Sequence, residues 1–308
     1  MIFAGSASQQ LANAICHHLS IDPGRIERRK FYNDNTFVRI EQNVREGDVF
    51  VVQTSAPPVN DHLFELLMIV NALKSASARR VTAVVPHFFY QQSDKKEQSR
   101  ICITAKLFSD ILVTAGADRV LTLDLHAPQI QGFLNCPVDQ LTAVPILTEY
   151  FAAQNIPDLV AVASDVGRAQ VVRRYARRLN VPLAIIDKQR LSEVSVQALN
   201  VIGDVKDKNA IVFDDLIGTG GSLVEAARLL KDHGARELYA GAVHGVFGDE
   251  AVERLEASPY SRVVVTDSIP SQHKVARGSK IQVLSVAGLF AKAIRHIHEG
   301  KSVSGLFV

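Results

Sequence analysis

From end to end, short apolar runs without helical spacing alternate with stretches whose apolar residues recur every three or four positions. That alternation is the mark of strands covered on both faces and joined by helices, so it confines the chain to an α/β class with mostly parallel sheets. In the first half, residues 2–4, 49–52, 81–85 and 121–125 read as strands, the last running into His126. Residues 61–74 read as a helix after Pro57 and Pro58. The second half repeats the scheme, with strands at 159–163, 183–186, 211–213, 238–243 and 263–265. A chain of 308 residues has room for two such domains. The acidic, Pro-bounded stretch 137–145 is the natural division, giving 1–143 and 144–308, with the last few residues expected to return to the first domain.

Composition narrows the function classes. The chain is 47% hydrophobic and 21% charged, with a formal net charge of +2, which is too near neutral for a general nucleic-acid or membrane-surface binder. Cys16, Cys102 and Cys136 are odd in number and lack metal-like spacing, so they read as reduced thiols. The N-terminal residues lack a basic region followed by a long apolar core, and no apolar run approaches membrane-spanning length. The expectation is a cytoplasmic protein with neither nucleic-acid nor membrane partners.

The most informative stretch is 211–223, which reads IVFDDLIGTGGSL. Ile211, Val212 and Phe213 suit a buried parallel strand; Gly218, Gly220 and Gly221 are expected to supply positive φ and a close approach to ligand. Ser222 is expected to cap a helix over 223–230. A strand, a small-residue loop and a helix start make an anion cradle, because unpaired amide N–H groups and the helix dipole converge there. Asp214 and Asp215 add two adjacent carboxylates that repel one another unless bound, and sugar hydroxyls or a magnesium ion are their natural partners.

Other polar groups stand at strand ends, where open α/β sheets place ligands. The charged stretch 90–100 follows a strand and by itself reads as a solvated connection. His126 can meet a metal or a phosphate oxygen. Asp165 is a candidate magnesium ligand, the alternative being a cap for the helix from Arg168 onward. Arg168, Arg173, Arg174, Arg177 and Arg178 cover more than one helical face, so they read as solvated or as partners for acids at a subunit contact, with no chemistry assigned. Lys188 and Arg190 lie on a polar segment that can neutralise charge building on a reacting phosphate.

Taken in order, residues 3–8, 43–45, 99–100, 124–126, 129–133, 203–207, the Asp214 loop and 302–304 resemble the ribose-phosphate pyrophosphokinase family over nearly the whole chain. The resemblance implies two tandem phosphoribosyltransferase-like domains. It also implies transfer of the diphosphoryl group of Mg-ATP to the C1 hydroxyl of ribose 5-phosphate, releasing AMP, for nucleotide biosynthesis. On the same grounds Asp214, Asp215, Gly218, Thr219, Gly220, Gly221 and Ser222 hold ribose 5-phosphate. His126 and Asp165 place Mg2+, and Lys188 and Arg190 stabilise the transition state. ATP meets Gln92, Ser93, Asp94 and His126, completed by Phe31, Asn33 and Asn35 from a neighbouring subunit in a homo-oligomer of dimers, a hexamer by resemblance. Asn43, Arg45, Ser302 and Ser304 resemble a regulatory phosphate site, implying inhibition by ADP and activation by phosphate.

Departures from that pattern cluster. Where the family reads Tyr-Ala-Arg-Gln-Asp-Lys, the chain has Gln92 for the arginine and Ser93 for the following glutamine. Asn35 replaces a glutamate, Arg168 a second glycine and Gly218 an aspartate. Loss of a charged phosphate contact removes about 1.5–3 kcal/mol, which weakens nucleotide handling without abolishing it. Two competing readings remain: a noncatalytic regulatory paralogue, and a phosphoribosyltransferase that consumes the activated sugar. Lys188, Arg190 and His126 argue against the second.

Overall fold

The computed structural model describes residues 1–189, 198–248, 250–276 and 278–306. The chain divides into two compact units, one made of Met1–Thr142, Ser268–Pro270 and Ser285–Val308, the other of Ala143–Asp267 and Ser271–Leu284.

The first unit opens with β1 (Ile2–Ala4), α1 (Gln9–Leu19), β2 (Ile26–Lys30), β3 (Thr36–Ile40) and β4 (Asp48–Val52). It continues through α2 (Val59–Ser75), β5 (Arg80–Val85), α3 (Thr104–Ala115), β6 (Arg119–Leu123) and β7 (Val138–Leu141). The five strands of its main sheet run in the order β1-β4-β5-β6-β7, all parallel. Their β-branched residues are buried because helices cover the sheet: α2 turns Leu66, Ile69, Val70 and Leu73 inward at helical spacing. β2 and β3 form a separate antiparallel hairpin in which the Arg29 guanidinium lies 4.7 Å from the Phe31 ring and 4.5 Å from the Phe37 ring.

The second unit holds α4 (Val144–Ala152), β8 (Leu159–Ala163), α5 (Ala169–Leu179), β9 (Leu183–Gln189), β10 (Ala198–Ile202) and β11 (Asn209–Ile217). After these come α6 (Gly221–Asp232), β12 (Leu238–Gly245), α7 (Ala251–Glu256), β13 (Tyr260–Thr266) and β14 (Ile281–Leu284). Its seven strands are ordered β10-β9-β8-β11-β12-β13-β14; only the β9–β10 pairing is antiparallel. Several strands outrun their apolar cores, β11 by four residues beyond Phe213, because a neighbouring strand continues alongside and keeps offering backbone partners. β6 instead stops at Leu123, where Asp124 takes a left-handed φ of 36°, so His126 follows the strand rather than ending it.

The last helix, α8 (Ala287–His298), returns to the first unit and packs on α1. An ion-pair node anchors its end. Arg80 grips the Asp48 carboxylate with two bonds of 2.7 and 2.6 Å and also reaches the Ile297 carbonyl at 2.9 Å, while His298 Nδ1 lies 2.7 Å from Asp48 Oδ2. No helix among the described residues is long and apolar enough to cross a membrane.

Burial alone would raise the Asp48 pKa, but hydrogen bonds from Arg80 and His298 outweigh it and hold the carboxyl below its ordinary value of 3.8. A depressed carboxylate stabilises the fold above the unfolded pKa, and that stability is lost as pH falls through the folded one. Asp48→Asn should therefore unfold more easily than the parent by about 1–3 kcal/mol at neutral pH, and the two should converge as the pH falls through the depressed folded-state pKa of Asp48. Urea melts across that range check both halves.

Candidate active site

β8 and β11 are paired as far as Ala163 opposite Phe213. Beyond that point β8 ends, while β11 continues against β12 through Asp214 opposite Ala242 and on to Ile217 opposite Gly245. The edge vacated by β8 is where the two aspartates lie.

Asp165 follows that strand end and starts a short 3-10 turn, Val166–Arg168, with its Oδ1 accepting the Arg168 backbone N–H at 3.0 Å. The capping alternative for Asp165 is thus realised locally, and it leaves the second carboxylate oxygen to be considered. The turn delivers the Arg168 guanidinium to the acids. Nη2 pairs closely with Asp215 Oδ2 and Nε lies 3.7 Å from Asp214 Oδ1. The side chains are 15%, 11% and 17% exposed for Arg168, Asp215 and Asp214, so water screens this trio little. Reading Arg168 as a solvated or intersubunit arginine needs correction. Arg173, Arg174, Arg177 and Arg178 are exposed, but Arg168 belongs to the acid pair of its own chain.

Burial raises the Asp214 carboxyl, the Asp215 charge raises it further, and Arg168 pulls it partly back; the outcome is a pKa pushed up to about 7. Asp214 Oδ1 also accepts the Asp215 backbone N–H at 2.9 Å. Burial and the neighbouring charge thus favour a proton on Asp214, against the pull of Arg168.

The loop after β11 differs in two respects from its sequence reading. Gly220, with φ of 75°, is the N-terminal cap of α6, and no side-chain cap bond forms; Ser222 lies inside the first helical turn and so does not cap it. Gly220 alone in this loop takes positive φ; a Cβ on Gly218 or Gly221 would make only ordinary contacts, at 3.7 Å and 3.6 Å. The loop is tied down by Arg254, which donates to the Thr219 carbonyl at 2.7 Å, and by the Gly248 N–H, which donates to the Gly218 carbonyl at 3.0 Å. Thr219 and Ser222 are exposed, and the first amides of α6 face the loop as anion donors. Arg254 was not singled out from sequence.

In the first unit, Gln92 is exposed and Asp94 is buried, with Asp94 Oδ2 accepting from Gln129 Nε2 at 3.1 Å. Ser93 faces the start of α3: its hydroxyl donates to the Cys102 carbonyl at 3.2 Å and accepts the Thr104 N–H at 3.3 Å. The half-buried His126 is held through its backbone N–H, which donates to Oε1 of the buried Gln91 at 3.1 Å. Phe31, Asn33 and Asn35 sit on the exposed β2–β3 loop beside Tyr32, which is wholly solvent-facing. Asn43 and Arg45 share one exposed turn, with the Arg45 N–H donating to Asn43 Oδ1 at 3.1 Å. Ser302 and Ser304 share another, with the Ser304 N–H donating to Ser302 Oγ at 3.2 Å. Lys188 lies on β9, paired in register with Leu199; Arg190 lies outside the described residues.

Among the described residues no three His, Cys, Asp or Glu side chains come together as a metal cage.

A family model described as the N-terminal domain of ribose phosphate pyrophosphokinase matches residues 1–116, and one described as the phosphoribosyl synthetase-associated domain matches residues 189–308. A ribose-phosphate pyrophosphokinase of Caldanaerobacter subterraneus is 48% identical, covering 99% of this chain and 97% of the relative. That of Clostridium acetobutylicum is 47% identical over 99% and 96%. Among solved structures, phosphoribosylpyrophosphate synthetase from Mycobacterium smegmatis superposes with a TM-score of 0.92 at 40% identity, covering 97% of this chain and 99% of that one.

The raised Asp214 pKa has a stability consequence opposite in sign to that of Asp48. Between the unfolded value of 3.8 and the folded value of about 7 the native state holds the extra proton, so stability falls as pH rises through that window. Asp214→Asn, which cannot ionise, should overtake the parent in melting temperature between about pH 5 and pH 8. Parallel pH profiles for the two proteins would show that Asp214 is already ionised.

Proposed function

The chain belongs to the ribose-phosphate pyrophosphokinase family, and from that premise we infer that it transfers the diphosphoryl group of ATP to the C1 hydroxyl of ribose 5-phosphate, giving phosphoribosyl pyrophosphate and AMP. Full-length identity of 48% to a ribose-phosphate pyrophosphokinase carries the activity. The observation supporting the sugar site is the buried acid pair standing immediately before the Gly218–Ser222 loop and the amino end of α6.

In this reading Asp214 and Asp215 take the ribose hydroxyls. The amides of Gly218, Thr219, Gly220, Gly221 and Ser222, with the hydroxyls of Thr219 and Ser222, take the 5-phosphate at the positive end of α6. The C1 oxygen attacks the β-phosphorus in line, the bond to the α-phosphate oxygen breaks, and AMP leaves with that oxygen. Positioning and charge neutralisation carry most of such a reaction. Lys188 and Arg190 are assigned to the charge that accumulates on the transferred group. Bound magnesium would neutralise the ATP phosphates and polarise the reacting phosphorus, with His126 and Asp165 as its protein ligands.

ATP is assigned to Gln92, Ser93, Asp94 and His126, with Phe31, Asn33 and Asn35 of a second copy packing on the adenine. The wholly exposed Tyr32 ring, beside a Phe31 held against Arg29 and Phe37, supports that assembly role by offering an aromatic surface to a second copy. A hexamer built from dimers, and regulation by phosphate and ADP at Asn43, Arg45, Ser302 and Ser304, follow by the same resemblance. The competing assignment, a noncatalytic regulatory subunit, is favoured by two observations: exposed Gln92 brings no positive charge, and the Ser93 hydroxyl is committed to α3.

AMP release from Mg-ATP by the purified protein should require ribose 5-phosphate and fall by at least about a hundredfold in Lys188→Ala. No turnover by a folded protein that still binds the sugar would favour the regulatory subunit. Gln92→Arg should lower the KM for ATP by roughly tenfold while leaving that for ribose 5-phosphate unchanged. Initial-rate kinetics over both substrates separate the two effects.

A further inference from the structure

The acid pair carries its own cation, and three independent features of the chain put it there. β8 stops at Ala163 while β11 runs on to Ile217, which opens the edge beside Asp214 and Asp215. The Asp165 carboxylate holds the Arg168 N–H and so sets the turn that presents residue 168 to that edge. The guanidinium then addresses both acids, Nη2 toward Asp215 and Nε toward Asp214. All three side chains are more than four-fifths covered, so this is not a screened surface pair of the kind that contributes little. Removing one partner of a buried pair leaves the other charge uncompensated.

When both are ionised, two adjacent carboxylates offer a sugar only acceptors and repel its 5-phosphate. They are usable as a diol site only when something holds their charge, either a divalent cation or a positive group of the protein. We propose that Arg168 is the resident counter-cation of the sugar-binding acids, a positioning residue that stands in for a divalent ion at this pair. Ribose 5-phosphate then engages the site without free magnesium. The inference rests on reading residues 214–222 as the ribose 5-phosphate site, and it concerns that pair alone, apart from any magnesium carried by ATP. It also gives a physical meaning to an arginine where the family resemblance leads one to expect glycine.

The test is calorimetric titration of ribose 5-phosphate into the full-length protein without ATP, once in EDTA and once in magnesium chloride. The parent should bind in both with affinities within about threefold of each other. Arg168→Gln should bind at least about tenfold more weakly than the parent in EDTA and regain most of the loss in magnesium. Arg168→Lys, which keeps the charge, should stay within about threefold of the parent in EDTA. Weak or absent binding by the parent in EDTA at concentrations that saturate it in magnesium overturns the proposal, and that comparison needs no variant to fold. So does an Arg168→Gln protein that binds in EDTA as tightly as the parent, or tighter, which would make the arginine a bystander or a competitor. Asp215→Asn separates the two levels of the argument. If it retains parental affinity, the sugar lies elsewhere and both readings fall; if it loses binding while Arg168→Gln does not, only the counter-cation falls.

Discussion

The proposed sugar site depends on a difference in length between two neighbouring strands. A central parallel strand satisfies its backbone groups along both edges, and β11 does so between β8 and β12 until Phe213. Past that point β12 alone supports it as far as Ile217. The acids are therefore fastened to a continuing strand rather than to a loose loop, while their other flank is free for a turn from the end of β8. Gly220 then reverses the chain into α6 with a backbone conformation that a side chain would resist. Rigid placement of the carboxylates and the orientation of the α6 amides follow from the same strand end.

Placing two carboxylates there is electrostatically demanding. Burial penalises each charge, and adjacency penalises the second one again. Arg168 offsets part of this and leaves Asp214 with a pKa of about 7. Burial and adjacency raise the Asp214 pKa while Arg168 opposes them, so the two acids and the arginine form one electrostatic unit.

The α/β class and most strand positions were legible because strands buried on both faces must be apolar, whatever they later pair with. Their extents were not: the continuation of β11 over Asp214–Ile217 comes from pairing with β12, which local composition does not encode. Ser222 reads as a cap because serine commonly is one, yet the left-handed Gly220 two positions earlier takes that place. Arg168 was hidden for a different reason. It opens a run of arginines that cover several helical faces, and its partners lie on a strand far along the chain, so periodicity alone assigned it to solvent. The clue lay in Asp165 three residues before it, since a capped turn holds the residue it closes. Ser93 shows the opposite limit: its place in a motif pointed to nucleotide, but its hydroxyl serves the first turn of α3.

The departures from the family pattern are unlike in kind, which bears on whether the chain catalyses. At the residues proposed for ATP they carry little structural cost: Gln92 is exposed, and Ser93 is absorbed into a helix start. At the proposed sugar site the change adds a buried charge that must be accommodated. A subunit that no longer handled ribose 5-phosphate would be free of two buried carboxylates, since replacing a buried ion cluster with apolar groups of similar volume is often neutral or stabilising. Instead the chain keeps both acids and supplies an arginine that matches them. Keeping such a cluster charged carries a desolvation cost, and Arg168 offsets part of it by pairing with both acids.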